Sequence, residues 1–274
     1  MRVGGTEGLG ALRRNYVKYY GRRLARRLDN YLARQSLVPN QPVLAPALFP
    51  WAAMVEERWE AIAAEARILL RHREELPFLQ DISPDQSRIS PDDKWRAFFL
   101  YVFGQRMENN CSRCPQTAAL LKQVPGIQNA LLSFLAPGKI VPAHRGFSKS
   151  IIRCHLGLVV PEPPNQCFID IGEARYSWQQ GRLLIFDDTY RHSISNNSDQ
   201  ERVVLLFDVP RPLKLPGRLL RDAIFWAVRR TGYVKGAIRN QARWEQRQSC
   251  SDLPNAFGRN PELRLTAETS TTSR

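Results

Sequence analysis

Four histidines are spread over this 274-residue chain, and three of them, His144, His155 and His192, fall in one run of short alternating segments. Neutral imidazole is a common side-chain ligand of transition metals, so histidines gathered in one β-rich region form a candidate metal centre. A structural histidine with its hydrogen bonds satisfied is the competing reading of each. The fourth, His72, lies in a charged helical stretch and reads as a surface residue. Two arginines have equally unusual settings. In the strand expected over 150–160, Ile152, Cys154, Leu156 and Leu158 point one way, and Arg153 and His155 the other. In 202–209, Val203, Leu205, Phe207 and Val209 share a face, leaving Arg202 on the other with Val204 and Leu206. A guanidinium on an interior strand face needs a partner. A carboxylate ligand held by two parallel hydrogen bonds would supply one. The alternative is a strand-end arginine reaching into water.

Five regions position these residues. Residues 1–50 read as a basic helix (11–34) and a proline-containing connector. Residues 51–128 read as the helical N-terminal part of the catalytic domain, with Val55, Trp59, Ile62, Ala66 and Leu69 on one face of a helix and a short helix over 115–123. Residues 95–103 are aromatic-rich and fit either helix or strand. Residues 129–213 carry short strands at 130–136, 150–160, 167–171, 174–178, 182–186 and 202–209, separated by Gly and Pro turns, which argues for a sandwich or barrel. Residues 214–248 return to basic amphipathic helix, and 249–274, rich in Ser, Thr, Asn and Arg, read as a disordered tail.

Net charge is +14, concentrated at the two ends: 1–34 hold nine basic and two acidic residues, and 211–247 hold ten and two. Basic ends point to anionic partners, a membrane surface first, with solvated basic helices as the plain alternative. Nucleic acid is disfavoured, because no recognised nucleic-acid motif accompanies the charge. Five cysteines without a secretory leader suit a reducing cytoplasmic location, peripheral on the inner face of the membrane. No stretch is apolar and long enough for a transmembrane helix. Cys111 and Cys114 have zinc-like spacing, but no second pair follows, and a helix-start turn is the simpler reading.

Four blocks, LAPGKIVPAHRG (135–146), IIRCHLGLVVP (151–161), YSWQQGRLLIFDDTYRH (176–192) and RVVLLFDVPRP (202–212), recur in order in the aspartyl/asparaginyl β-hydroxylase family, which 125–213 resembles. The resemblance implies a mainly β fold with flanking helices, a double-stranded β-helix (a cupin-like jelly roll). It also implies an iron(II)- and 2-oxoglutarate-dependent dioxygenase, which uses dioxygen to hydroxylate an unactivated C–H bond. His144 and His192 resemble the two iron ligands of the family. Arg202 resembles the residue that pairs with the distal carboxylate of 2-oxoglutarate, and Ser133, Arg153 and His155 the other cosubstrate contacts. The usual third, carboxylate ligand of such centres has no counterpart, because Gly146 stands two residues after His144. The aspartyl hydroxylases share that absence. Asp187 and Asp188 are read as shaping the turn before His192. Similarity to bacterial lipid A and ornithine-lipid hydroxylases extends to WEAIAAEA (59–66) and to 219–245. It makes a membrane-lipid acyl chain the first expected substrate, ahead of a peptidyl Asp or Asn residue or a free amino acid.

Overall fold

The computed structural model describes residues 23–248. The basic helix expected over 11–34 is therefore described from residue 23 onward, and the tail at 249–274 lies outside the described residues. In chain order the elements are α1 (23–35), β1 (Val43–Leu44), α2 (Ala52–Glu57), α3 (Trp59–Arg71), α4 (Leu79–Ile82), β2 (Trp95–Val102), β3 (Gln105–Arg106), α5 (Glu108–Arg113), α6 (Pro115–Leu121), β4 (Asn129–Leu135), β5 (Ile140–His144) and β6 (Ile151–Val159). Then follow β7 (Cys167–Ile171), β8 (Ala174–Ser177), β9 (Leu183–Phe186), β10 (His192–Asn196), β11 (Arg202–Pro210), α7 (Leu215–Arg229) and α8 (Gly232–Gln248).

The strands form two antiparallel sheets, a seven-stranded one in the order β1-β9-β6-β11-β4-β2-β3 and a four-stranded one in the order β5-β10-β7-β8. Between their inner faces, Val141, Ile169, Ile171 and Ile194 of the small sheet join Leu131, Leu135, Val204 and Leu206 of the large one in the hydrophobic core. This is the jelly-roll, cupin-like architecture that the family resemblance implies, and it agrees with the sandwich or barrel expected from the strand pattern.

The two sheets differ in what covers them, and their sequences show it. β4 and β11 are buried along nearly their whole length, which their continuous apolar runs, NALLSFL and RVVLLFDVP, express. α3 packs on β6 and α8 on β2, closing the outer face of the large sheet. Ile62, Ala66 and Leu69 of α3 are fully buried. Glu65, on the same helix and also buried, accepts hydrogen bonds from the Gln116 and Thr117 amides and the Thr117 hydroxyl. It thereby satisfies the free N–H groups that open α6. The small sheet alternates: in β10, His192, Ile194 and Asn196 are buried while Ser193 and Ser195 are half-exposed.

Three features depart from the expectations. The region 51–128 is not wholly helical: β2 lies within the large sheet, paired along its length with β4, and β3 pairs with β2. Its aromatic run WRAFFLYV has no polar alternation because helices cover one face and the core the other. The single helix expected to carry Val55, Trp59, Ile62, Ala66 and Leu69 is two helices, broken at Arg58. Finally, 140–144 and 192–196, not read as strands, are β5 and β10. Both are short and partly solvent-facing, β5 interrupted by Pro142 and β10 largely polar.

Candidate active site

β5 and β10 are antiparallel neighbours, and their register sets His144 directly opposite His192. Two residues 48 apart in sequence are thus brought side by side, with ring centroids 4.2 Å apart. Each ring is held by its own backbone. His144 Nδ1 lies 2.8 Å from the Pro142 carbonyl oxygen, and His192 Nδ1 lies 2.9 Å from that of Tyr190. A carbonyl only accepts, so each Nδ1 carries the proton and each Nε2 keeps its lone pair. This is the tautomer a metal-binding imidazole uses, held by the outer hydrogen bond that such ligands usually have. Burial depresses both pKa values, that of His192 to about 3, with the neighbouring His144 adding to the effect. Both rings therefore stay neutral at physiological pH.

The large sheet faces this pair. Ser133 on β4, Arg153 and His155 on β6, Arg202 and Leu206 on β11, and Phe186 on β9 line one pocket with His144, His192, Ile194 and Trp95. All six residues singled out from the sequence therefore line a single pocket. Three of them present hydrogen-bond donors. The Trp178 indole nitrogen, which only donates, lies 3.2 Å from His155 Nδ1. That fixes the His155 proton on Nε2, which is buried and has no partner. Ser133 Oγ accepts from the Trp95 indole at 3.0 Å, leaving its hydroxyl proton to be donated. Arg202 is 1% exposed, its Nε is unpartnered, and its side chain reaches Ser133 Oγ at 3.5 Å and the Cys167 thiol. Among the described residues no carboxylate lies within ion-pair distance of Arg202. Its guanidinium lies over the Trp178 ring, 4.7 Å from the centroid. Burial lowers its pKa to about 10, which leaves it charged at neutral pH. A buried cation and two further donors without acceptors are the complement of an anion.

Arg153 differs. Its guanidinium already makes two hydrogen bonds to Asp208, at 2.8 and 3.1 Å, and lies 3.3 Å from Asp188. Burial opposes its charge, but the two carboxylates outweigh burial and raise its pKa. Arg153 thus lines the pocket with its charge already met.

The two aspartates before His192 also divide. Asp187 accepts from the Thr189 amide and hydroxyl and pairs with Lys149 and Arg211, so it shapes the turn. Asp188 is buried, with one carboxylate oxygen unpartnered. Burial, offset in part by Arg153, raises its pKa to about 6. Its carboxyl group occupies the space beside Gly146, where an added Cβ would lie 2.2 Å from it. Asp188 does not complete a triad: among the described residues no group of three or more His, Cys, Asp or Glu side chains is placed to hold a metal. The donor set is two neutral imidazoles, which suit iron(II). The sequence reading missed Trp95, Trp178 and Phe186. Trp178 and Phe186 sit inside the quoted 176–192 block, and Trp95 opens the ambiguous aromatic run. Cys111 and Cys114 are both buried at the start of α5 and before α6, away from this pocket.

A jelly roll with a histidine pair facing a wall of buried hydrogen-bond donors across one pocket is an arrangement that suits a cupin-type oxygenase. The profile of the aspartyl/asparaginyl beta-hydroxylase family matches residues 56–212, and the chain belongs to that family. The ornithine lipid ester-linked acyl 2-hydroxylase of Rhizobium tropici is 42% identical over 208 residues, 76% of this chain and 74% of that protein. Human aspartate beta-hydroxylase domain-containing protein 2 is 34% identical over 45% of this chain and 35% of its own length. Human aspartyl/asparaginyl beta-hydroxylase is 30% identical over 59% of this chain and 21% of its own length. The chain is a hydroxylase of this family. Among the described residues no helix is long and apolar enough to cross a membrane.

Proposed function

We propose that this hydroxylase uses iron(II) and 2-oxoglutarate, and that its substrate is the acyl chain of a membrane lipid of the ornithine-lipid type. The observation that carries the cosubstrate is Arg202: a buried guanidinium with no carboxylate partner, facing a neutral histidine pair across one pocket. A dicarboxylate meets both ends of that pocket. His144 and His192 would hold the metal through Nε2. Arg202 and Ser133 would take one carboxylate, and His155 would donate its Nε2 proton to the bound anion. When bound, iron(II) with dioxygen supplies the oxidation, in which 2-oxoglutarate becomes succinate and carbon dioxide while one oxygen atom enters the substrate C–H bond. The protein's share is orientation and shielding. Phe186 packs edge-on against both His155 and His192, at 5.1 and 5.6 Å between centroids, and with Ile194 and Leu206 gives the pocket apolar walls.

The lipid substrate is supported by the extent of the match. The Rhizobium tropici lipid hydroxylase aligns over about three quarters of both chains, whereas the human proteins align over a minority of their own lengths. Lipid mass spectrometry of a strain lacking this chain tests it. The expected result is loss of a lipid species heavier by one oxygen atom than its precursor. An unchanged lipid profile, with an unhydroxylated protein or amino acid appearing instead, would transfer the substrate to the peptidyl or free amino-acid class.

A further inference from the structure

Five of the ten large apolar side chains that stand open to solvent among the described residues are Leu37, Phe147, Leu215, Leu219 and Trp226. They belong to segments fastened to one another. The Leu37 amide donates to the Pro212 carbonyl at 2.9 Å, and Gln35 packs against Gly217 in the first turn of α7. The Lys149 amide donates to Asp29 of α1 at 2.9 Å, tying the loop that carries Phe147 to the same helix. Phe147 also lines a shallow apolar cleft with Phe225 and Val228 of α7.

The exposed side of α7 is ordered. At 3.6 residues per turn, Leu215, Trp226, Leu219 and Ala223 form one stripe, with Arg218 along one border and Arg230 at its C-terminal end. Leu215, Leu219 and Trp226 are 65%, 64% and 59% exposed. Arg230 lies 3.8 Å over the Trp226 ring. The acidic residue on this side, Asp222, is paired with Arg221 at 2.8 Å. Arg218 has no ion-pair partner among the described residues. A soluble helix normally turns its apolar stripe inward; this one also turns an apolar stripe outward and edges it with cations.

From this we infer that the outward face of α7, with Phe147 and Leu37 beside it, is a docking surface for an anionic lipid bilayer. The occupant follows from the charge pattern. Leucine and tryptophan enter the acyl boundary while the arginines stay at the level of anionic headgroups. A second copy of the chain would set the same arginines against each other, and a nucleic acid would leave the apolar stripe uncovered. The inference deepens the lipid reading. Phe147 is three residues from His144, so at most about 11 Å of chain separates the docked surface from the candidate metal ligand. Docking would hold the mouth of the site at the headgroup level, where an ester-linked acyl chain begins.

The test uses the full chain with vesicles of phosphatidylcholine, alone or mixed with phosphatidylglycerol. Expected is sedimentation with the mixed vesicles at low salt, weakened as salt rises. The double variant Leu219→Ser/Trp226→Ser lowers vesicle affinity roughly a hundredfold, while Leu48→Ser, an exposed leucine elsewhere, leaves it unchanged. Arg218→Glu, which removes no packing, lowers affinity to the mixed vesicles about fivefold or more and serves if the double variant fails to fold. Absence of binding by the unaltered chain at low salt overturns the inference. So does unaltered binding by both the double variant and Arg218→Glu, or a dimer in sedimentation equilibrium that the double variant abolishes. Vesicle binding needs neither metal nor turnover. Intact docking with no lipid product would therefore refute the substrate and leave the surface standing.

Discussion

Trp178 donates its indole N–H to His155 Nδ1 at 3.2 Å, and the same ring lies beneath the Arg202 guanidinium. One side chain thus fixes the proton of one anion-facing residue and the position of another. Trp178→Phe keeps the ring face and removes the donor. The expected result is a rise in the 2-oxoglutarate KM of about tenfold, with kcat changed less. Ring-nitrogen chemical shifts of His155 should show loss of the single Nε2–H tautomer. A variant with unchanged shifts and unchanged KM would show that Trp178 only fills space.

Arg202 and Arg153 should respond oppositely to removal. Arg202 has no carboxylate to abandon, so Arg202→Met should leave the melting temperature of the ligand-free protein level or higher. The same change should weaken 2-oxoglutarate binding at least about a hundredfold. Arg153→Met leaves Asp208 and Asp188 buried together and should cost roughly 3 kcal/mol. Calorimetric melting with and without 2-oxoglutarate decides this. Strong destabilisation by Arg202→Met without ligand would contradict the assignment.

A pH signature follows from His155. Burial, with the nearby Arg202 and Arg153 charges, holds its pKa well below the usual imidazole value. The unfolded chain therefore takes up this proton first as pH falls below about 6.5. The stability that neutral His155 confers is present above that pH and is lost on acidification below it. Relative to His155→Gln, the metal-free protein should lose stability between pH 6.5 and pH 5, with a limiting slope of about 1.4 kcal/mol per pH unit. Parallel urea melts at several pH values measure this, and equal pH dependence of the two proteins would refute it.

Gly146 and Asp188 should be coupled. A Cβ at 146 would meet the Asp188 carboxyl at 2.2 Å, so Gly146→Ala should cost roughly 1–3 kcal/mol. In an Asp188→Ala background the same change should be milder by about 1 kcal/mol or more. A double-mutant cycle of urea midpoints measures the difference. Additive costs would mean that the two residues do not share that space.

How much of this was legible in the sequence depended on burial. The large sheet's strands β4, β6, β9 and β11 appear as continuous or alternating apolar runs because the core demands them. β2 has the same origin, but with seven apolar or aromatic residues out of eight and no alternation its period is ambiguous between helix and strand. β5 and β10, IVPAH and HSISN, carry the two candidate metal ligands on a half-solvated sheet; a central proline in the first and the polar run of the second give no strand signal. Strand alternation placed Arg153 and His155 on one face correctly. It could not show that Asp208, opposite Arg153 in the β6–β11 register, already meets that charge. The division of labour between Asp187 and Asp188 was likewise hidden, since it arises from Gly146 approaching across a turn.

The β5–β10 register brings together the histidine pair proposed to hold iron. Iron(II) binding and conversion of 2-oxoglutarate to succinate, measured in parallel for the unaltered protein, His144→Ala and His192→Ala, test that role most directly. The unaltered protein is expected to bind iron and form succinate, and each variant to lose iron affinity by at least about tenfold with turnover falling alongside. Iron binding and 2-oxoglutarate turnover left intact in both variants would contradict that role.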